Sequence, residues 1–508
     1  MRLSLTCMCA AALLAAAPAS AAWYKAASKH FVIYADENPK ALRAFSEKLE
    51  RFDQAARISM SMEDPQIGDG NRLTVFVVPS EKEVHAILGD KNAWQSGFYT
   101  GRVEGSLAYV PRHTEAMDDP DALFFHEYTH HLMMQELDRP YPEWYVEGFA
   151  EFLSTAKFDP DGSVWFGQPL QSRAYSLLNE SPPTFEQLAA GLHGNMTDLQ
   201  LDAFYGRSWL LTHYLLLEPR RAGQLARYIN TLAKGEPPMQ AAREVFGDPK
   251  QLDRELNTYV TQRLLAFKIG GQRISVGNID VQPLSAGAAQ VILARARIKY
   301  SGDDSGAETR AAQVRPIESR YPGDELVEAT LAEAELDAGH ADAAEAAAVR
   351  ALAANPRDTE ALVLKARALE AKAKSAEGET RTAMFDQARA SFIAANKIDT
   401  EDPEPLYDYY WSYLLEGRRP TDNAIAALHY ASDLAPQDIG VRMNSAIAYL
   451  EEGKLKEARS TLTVVAYQPH AGEAADLAKR MMSDIDSGDA KAALREMEAA
   501  PKKQSASN

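Results

Sequence analysis

The chain has 508 residues, a formal net charge of −18 and an isoelectric point near 5.2. This length allows about two to four domains that each bury a hydrophobic core. The acidic balance, without any Lys- and Arg-rich stretch, argues against nucleic acid and disfavours an anionic membrane as a partner, because both bind basic surfaces.

Residues 1–21 have the pattern of a secretory signal peptide. An Ala- and Leu-rich apolar run is followed by small residues at 19–21, which suit a cleavage site. The run is too short to anchor the mature chain in a membrane, so we expect a protein that is periplasmic or secreted and begins near Trp23. Both cysteines, Cys7 and Cys9, fall within this segment, which leaves His, Asp and Glu as metal ligands.

Residues 22–117 are predicted to form a small α/β lobe. Some of its segments are rich in β-forming residues, whereas others repeat apolar residues at helical spacing. The predicted elements are strands at 30–34 and 73–79, helices at 41–56 and 81–88, and a hairpin or bent pair of strands at 97–110.

Residues 118–267 are predicted to form a helical lobe, and an Asp-Asp-Pro sequence at 118–120 suits the start of its first helix. On this helix His126 and His130 are four residues apart and project from one face, where both imidazoles can bind one metal ion. Glu127 points about 100° away from His126 and is placed to act on a water molecule beside the metal. The spacing predicts a zinc (Zn2+) site.

A second predicted helix supplies the third zinc ligand. The Pro-Glu pair at 142–143 suits its first turn. A hydrolytic zinc site has three protein ligands and one open position, and Glu147 is the predicted third ligand. Glu151 lies one turn later on the same face and is predicted to accept the second N–H of a ligating histidine. His131 points away from the neighbouring ligand and is predicted to lie at the surface.

Residues 144–150 read Trp-Tyr-Val-Glu-Gly-Phe-Ala. With the His-Glu-x-x-His motif at 126–130, this segment resembles the gluzincin metallopeptidases, in particular the aminopeptidase N group and smaller secreted relatives with a Glu-Gly-x-Ala-Glu signature. The resemblance covers the catalytic part of the chain. It implies a zincin-like α+β domain in which Glu147 is the third zinc ligand and Glu127 the general base. The aminopeptidase Gly-Ala-Met-Glu-Asn segment is absent from this sequence.

The same resemblance implies two further features. The sequence Tyr-Gly-Arg-Ser, which starts at Tyr205 within an apolar helical stretch at 204–216, is similar to the family's Tyr-x-Lys-Gly segment. Tyr205 would then stabilise the oxyanion; the alternatives are His193 as the donor, or a tyrosine that only packs. The family also presents an edge strand to its substrate. Residues 107–110 are the candidate, with an ordinary core strand as the alternative.

Residues 286–498 are Ala-rich and predicted to form helical repeats. Small residues recur at intervals of 44, 36 and 34 residues, at Ala344, Ala388, Ala424 and Ala458. The last interval is the tetratricopeptide period, and the first contains an insertion around 372–382. This part resembles tetratricopeptide proteins, which implies an all-α superhelix with a groove for a peptide or protein partner.

The flanks of this array are less regular. Residues 268–285 are predicted to be a connector, 286–322 a degenerate first repeat, 473–498 a capping helix pair and 499–508 a disordered tail. Aromatic residues at 407–413 either pack between helices or line the groove. Docking of the array onto the catalytic domain is a further interpretation.

The leading hypothesis is a secreted zinc metallopeptidase that acts on a peptide or protein, with a tetratricopeptide array attached. Zinc held by His126, His130 and Glu147 would activate water, Glu127 would be the general base, and Tyr205 would stabilise the oxyanion. One alternative is an interaction protein whose zinc domain has little turnover. Another is a zinc hydrolase of non-peptide amides or esters, which would use the same residues.

Overall fold

The fold comes from a computed structural model, which describes residues 23–89, 97–112, 120–135, 141–170, 173–179, 181–191, 196–300, 306–468 and 471–499. The predicted signal peptide at 1–21, the tail from residue 500 and His193 lie outside these residues. Within the described residues, no helix is long and apolar enough to cross a membrane.

The N-terminal part of the chain contains both strands and helices. The strands are β1 (Tyr24–Ala27), β2 (Phe31–Ala35), β3 (Leu73–Val78), β4 (Phe98–Thr100), β5 (Leu107–Pro111), β6 (Lys157–Phe158), β7 (Val164–Phe166), β8 (Phe267–Ile269) and β9 (Asp280–Pro283). The helices are α1 (Pro39–Met60), α2 (Glu81–Leu88), α3 (Pro120–Gln135), α4 (Glu143–Ser154), α5 (Ala174–Asn179), α6 (Phe185–Ala190), α7 (Asp198–Leu217), α8 (Gln224–Ala233), α9 (Pro238–Phe246) and α10 (Pro249–Tyr259).

The larger sheet has six strands in the order β4-β5-β3-β2-β1-β9. β3 pairs in parallel with β2 and β5, and the outer pairs are antiparallel. The prediction that 107–110 form an edge strand is wrong, because β4 covers β5 on its second side and leaves it in the interior. The predicted connector is also more than a linker, since β9 extends the sheet beside β1.

Both faces of this sheet are covered, and its interior strands β3 and β5 are accordingly apolar along nearly their whole length. One face packs on α1 and α3, where the Phe52 ring stacks on Phe125 with centroids 4.1 Å apart. On the other face Tyr34, Phe76 and Tyr109 stack in a row beneath α2. Helix α3, which carries the histidine pair, therefore packs on one face of the sheet.

The C-terminal part is a succession of helix pairs. These are α11 (Ala286–Tyr300), α12 (Ala307–Glu318), α13 (Glu325–Asp337), α14 (Ala341–Ala354), α15 (Thr359–Ala373), α16 (Gly378–Ile398), α17 (Pro403–Glu416), α18 (Asp422–Leu434), α19 (Ile439–Glu451), α20 (Leu455–Ala466), α21 (Glu473–Asp486) and α22 (Ala490–Ala499). The four periodic alanines all lie in the second helix of a pair and are fully buried. Only a small side chain fits there, because neighbouring helices approach closely. The insertion after residue 372 makes α16 longer.

The array packs on the face of the sheet that also contacts α2. The Tyr109 hydroxyl donates a hydrogen bond to the carbonyl of Ala296 at 2.8 Å, and the Phe98 ring lies 4.7 Å from that of Tyr300. Three of the aromatic residues predicted at 407–413 are buried in a cluster that also contains Val103 of the β4–β5 turn. Their main role is therefore packing, and the array is docked onto the N-terminal part of its own chain.

Candidate metal centre

Helices α3 and α4 bring the three predicted zinc ligands together. The Nε2 atoms of His126 and His130 are 3.1 Å apart, one helical turn from each other on α3. Oε2 of Glu147, on α4, lies 3.4 Å from His126 Nε2 and 3.5 Å from His130 Nε2. Three ligand atoms of the types zinc prefers thus converge from two helices.

The distances between these atoms fit a zinc ion. Bonds of about 2.0–2.1 Å in tetrahedral geometry place neighbouring ligand atoms about 3.3–3.4 Å apart. The three observed separations lie within a few tenths of an ångström of that value. The side chain of Glu147 is 1% exposed, whereas that of His126 is 14% exposed. His126 is therefore the most exposed of the three candidate ligands, since the side chain of His130 is 3% exposed.

A second group of potential ligands, His30, Glu50 and Asp53, does not fit a metal in the same way. His30 Nδ1 and Glu50 Oε2 are only 2.7 Å apart, which is the length of a hydrogen bond between the two groups. Asp53 accepts hydrogen bonds from Arg57 and from the Tyr128 hydroxyl. Asp53 is on α1, and Tyr128 is on α3 between His126 and His130. This network therefore joins α1 to the helix that carries both histidines.

The charges around the triad suit a cation. Burial lowers the pKa of His126, but a hydrogen bond to Glu147 and the charges of Glu151 and Glu127 more than offset this effect and raise the pKa to about 9. Burial raises the pKa of Glu147, but the charge of His130 and hydrogen bonds to both histidines bring it well below its ordinary value. The same carboxylates that favour a proton on His126 would favour a divalent cation, which would take the place of that proton.

Tyr205 lies beside the triad on α7. Its ring is 6.2 Å from that of His126 and nearly perpendicular to it. Burial raises the pKa of the Tyr205 hydroxyl, and the nearby carboxylates of Glu147, Glu151 and Glu127 raise it further. The hydroxyl therefore stays protonated and retains the hydrogen that an oxyanion donor needs.

Glu151 lies close to the position predicted for it, but Arg173 is its main partner. Its Oε1 atom is 3.9 Å from His126 Nδ1, which is too long for a hydrogen bond, and 2.8 Å from Arg173 Nη2. The guanidinium of Arg173 also bonds Asp202 at 2.6 Å and lies 5.3 Å from the centre of the Tyr205 ring. Sequence reasoning missed Arg173, because it belongs to no motif and is far from its partners along the chain.

The prediction that His131 lies at the surface is wrong. The residue is buried, with Nδ1 2.8 Å from the Tyr99 hydroxyl and the ring stacked on Tyr128. Burial lowers the pKa of His131 to about 3, so this imidazole is neutral. Helical geometry correctly predicts that His131 points away from His126 and His130, but strand β4 covers the side to which it points.

Comparisons with known proteins bear on the C-terminal part of the chain. A family model of the tetratricopeptide repeat matches residues 421–481, from α18 into α21. Within the C-terminal region, this segment is therefore similar to tetratricopeptide repeats. No curated protein matches the chain. A solved tetratricopeptide protein from Thermus thermophilus is 20% identical to this chain, with a TM-score of 0.32, and the match covers 41% of this chain and 100% of that protein. The zinc-peptidase interpretation stays a prediction.

Proposed function

We propose that this protein is a zinc-dependent metallopeptidase with a gluzincin-like catalytic domain. The observation that carries the proposal is the convergence of His126, His130 and Glu147, whose ligand atoms are 3.1–3.5 Å apart. A zinc ion bound there would act as a Lewis acid on a carbonyl group and make a water molecule more acidic.

Glu127 is the proposed general base. It follows His126 on α3 and lies close enough to influence the pKa of both His126 and Tyr205. Its carboxylate would accept a proton from the attacking water and pass that proton to the leaving amine. This role requires a carboxylate that is not itself a metal ligand, and the helical position of Glu127, about 100° from His126, meets that requirement.

Tyr205 is the proposed oxyanion donor, and Arg173 holds it in place. The hydroxyl is protonated at neutral pH, so it can donate a hydrogen bond to a carbonyl oxygen as negative charge develops there. Arg173 lies against the Tyr205 ring while paired with Glu151 and Asp202. These contacts limit the motion of the ring, which a preorganised donor needs.

The second candidate function is that of an interaction protein with little or no turnover, favoured by the tetratricopeptide match at 421–481. A chamber of about 680 Å³ between the array and the sheet supports it. The chamber is lined by Lys25 and Thr74 on the sheet and by Arg295, Arg357 and Glu404 on the array. Its charged lining would suit a polar peptide.

The test of the proposed function combines metal analysis with a cleavage assay. The purified parent chain, His126→Ala, Glu127→Gln and the control His340→Ala are analysed for zinc and incubated with casein. His340 is an exposed histidine on the array. We expect about one zinc per chain in the parent, the control and Glu127→Gln, and a large loss in His126→Ala. Cleavage is expected only in the parent and the control.

The outcomes separate the two functions. Zinc in the parent without cleavage of any polypeptide would favour the interaction protein, as would a biological effect that Glu127→Gln preserves. A parent chain without zinc would overturn the metal centre itself.

Export is a further proposal and rests on the leader-like pattern of residues 1–21. Amino-terminal sequencing of the protein recovered outside the cytoplasm should give a start near Trp23. Recovery of the uncleaved chain from the cytoplasm alone would contradict export.

A further inference from the structure

The β4–β5 turn of the N-terminal part is inserted into the tetratricopeptide array. The backbone N–H of Val103 donates a hydrogen bond to Asp438 Oδ2 at 2.8 Å, and Arg102 Nη2 donates to the carbonyl of Tyr300 at 2.9 Å. The Val103 side chain is 3% exposed and packs in the cluster that contains Tyr407. This turn is bound as a peptide ligand would be, by backbone capture and an apolar anchor.

The contact depends on a glycine. A Cβ atom at Gly101 would lie 2.4 Å from Gln437 Cγ, so the turn approaches the α18–α19 loop more closely than any other residue would permit. Asp438 has two partners here, because it also caps α19 through the backbone N–H of Val441. The two surfaces therefore fit each other in detail.

A chain of hydrogen bonds leads from this contact to the histidine helix. Gln437 Nε2 donates to Ser106 Oγ at 3.1 Å. The Tyr99 hydroxyl lies 3.2 Å from the same Ser106 oxygen and 2.8 Å from His131 Nδ1. His131 directly follows the ligand candidate His130 on α3. The array thus contacts the metal-binding helix through two side chains of the β4–β5 hairpin.

A second contact is made one turn further along α3. Met134 packs against Val464 of α20, and both side chains are buried. Gln468 Nε2 donates to the carbonyl of Gln437 at 3.0 Å, which ties this contact to the first. Both contacts come from the segment 421–481 that matches the tetratricopeptide family.

Three of the four residues in this hydrogen-bond chain are buried, and the fourth, Tyr99, is half-buried. Gln437 is 4% exposed, and Ser106 and His131 are also buried. Removing Gln437 or Ser106 leaves a buried polar group without its partner, which costs free energy. Such a connection holds its ends in fixed positions.

We propose that the repeats at 421–481 are an intramolecular positioning element for the metal-binding helix. Through Gln437, Ser106, Tyr99 and His131, and through the Met134–Val464 contact, they fix the orientation from which His126 and His130 present their ligand atoms. The partner of this surface is the N-terminal domain of the same chain. The inference rests on the proposed function insofar as α3 is the metal-binding helix.

The test uses amide hydrogen exchange of the full, metal-free chain, read by mass spectrometry. Gln437→Met removes the donor at similar volume, and Gln387→Met is the control because Gln387 is exposed on the same array. We expect exchange across 120–135 to become about fivefold faster in Gln437→Met, the change that loss of one buried hydrogen bond would produce. Exchange in α8–α10 and α13–α15 should be unchanged.

Zinc affinity is the second readout and separates this inference from the proposed function. Competition with a chelator should show zinc binding weakened about fivefold in Gln437→Met and unchanged in Gln387→Met. If the parent binds no zinc, the proposed function fails, while the exchange data still decide whether the array positions α3.

Two results would overturn the inference: unchanged exchange across 120–135 in Gln437→Met, or equal acceleration throughout the chain, which would indicate a purely structural role. If Gln437→Met does not fold, Ser106→Ala is used instead, because it removes the one hydroxyl that links Gln437 to Tyr99. The same two results in Ser106→Ala would overturn the inference.

Discussion

Tyr205 and Arg173 show how side chains from separate elements surround the candidate zinc ligands His126, His130 and Glu147. Arg173 pairs with the buried carboxylate of Glu151 and packs on the Tyr205 ring. A carboxylate buried without a partner is costly, so this ion pair allows Glu151 to stand beside His126. Glu151 Oε1 and His126 Nδ1 are 3.9 Å apart, so they form no hydrogen bond in this structure, and that bond stays a prediction for the zinc-bound protein.

Replacement of Tyr205 by Phe removes only the hydroxyl. We expect kcat for peptide hydrolysis to fall about 10²–10³-fold, the usual loss for one oxyanion donor, while zinc content stays the same. Tyr430→Phe is the control, because it removes an exposed hydroxyl that is bonded to Glu401. An unchanged kcat in Tyr205→Phe would leave Tyr205 as a packing residue.

Glu370 makes stability depend on pH. Oε1 of this buried side chain has no hydrogen-bond partner among the described residues. Burial, with a smaller contribution from Asp408, raises the pKa to about 8, above the ordinary value of 4.5. Between these values the folded chain retains a proton that the unfolded chain releases. Stability is therefore lost as pH rises from 4.5 to about 8.

Glu370→Gln should remove this dependence. We expect little change in the free energy of unfolding at pH 5 and a gain on the order of 4 kcal/mol at pH 8, measured by urea denaturation. Glu379→Gln on the exposed start of α16 is the control. A gain of equal size at both pH values would show that Glu370 is ionised throughout this range.

At the scale of elements, the crossing of α4 and α7 brings Glu147 and Tyr205 to one site. The crossing is close because Gly148, next to Glu147, has no side chain. A Cβ atom there would lie 2.3 Å from the carbonyl oxygen of Ser208 and 2.5 Å from Thr212 Oγ1. The glycine of the Glu-Gly pair is thus required by helix packing.

Gly148→Ala should destabilise the protein although alanine is the better helix former. Overpacking against a backbone carbonyl costs about 1–3 kcal/mol, and helix propensity returns about 1 kcal/mol of this. We expect a lower Tm together with reduced peptidase activity, because α7 must shift with Tyr205. Gly277→Ala is the control, since no heavy atom lies within 4 Å of its Cβ position. A higher Tm in Gly148→Ala would contradict the packing argument.

At the scale of the whole molecule, the array and the N-terminal domain share one interface. Strand β9, from the segment between them, pairs with β1, and the β4–β5 turn lies within the array. Ion pairs such as Arg367 with Glu104 cross the same interface. Two bodies joined in this way are expected to unfold together.

Val103→Asp should uncouple the two bodies. It would bury an unpaired charge among aromatic rings, which costs several kcal/mol. We expect calorimetry to show two transitions in place of the parent's single one. Val349→Asp, at a position of the array that is 46% exposed, should keep the single transition. One transition in Val103→Asp, at the parent's midpoint, would mean that the turn is not important for docking.

The sequence by itself determined the features that depend on local periodicity. A spacing of four residues on a helix is enough to bring His126 and His130 side by side, and a repeat near 34 residues is enough to predict stacked helix pairs with buried alanines. The strands at 30–34 and 73–79 were likewise predictable, because β-forming residues mark them locally. Glu147 could be chosen because it stands in a motif of its own.

Only the tertiary structure decided what depends on contacts distant along the chain. β5 lies in the sheet interior because β4 folds back over it, and His131 is buried because β4 also covers α3. Arg173 joins Glu151 and Tyr205 across three separate segments, and the array binds the β4–β5 turn through residues more than 300 positions away. Such pairings follow from the packing of whole faces, which local residue patterns do not encode.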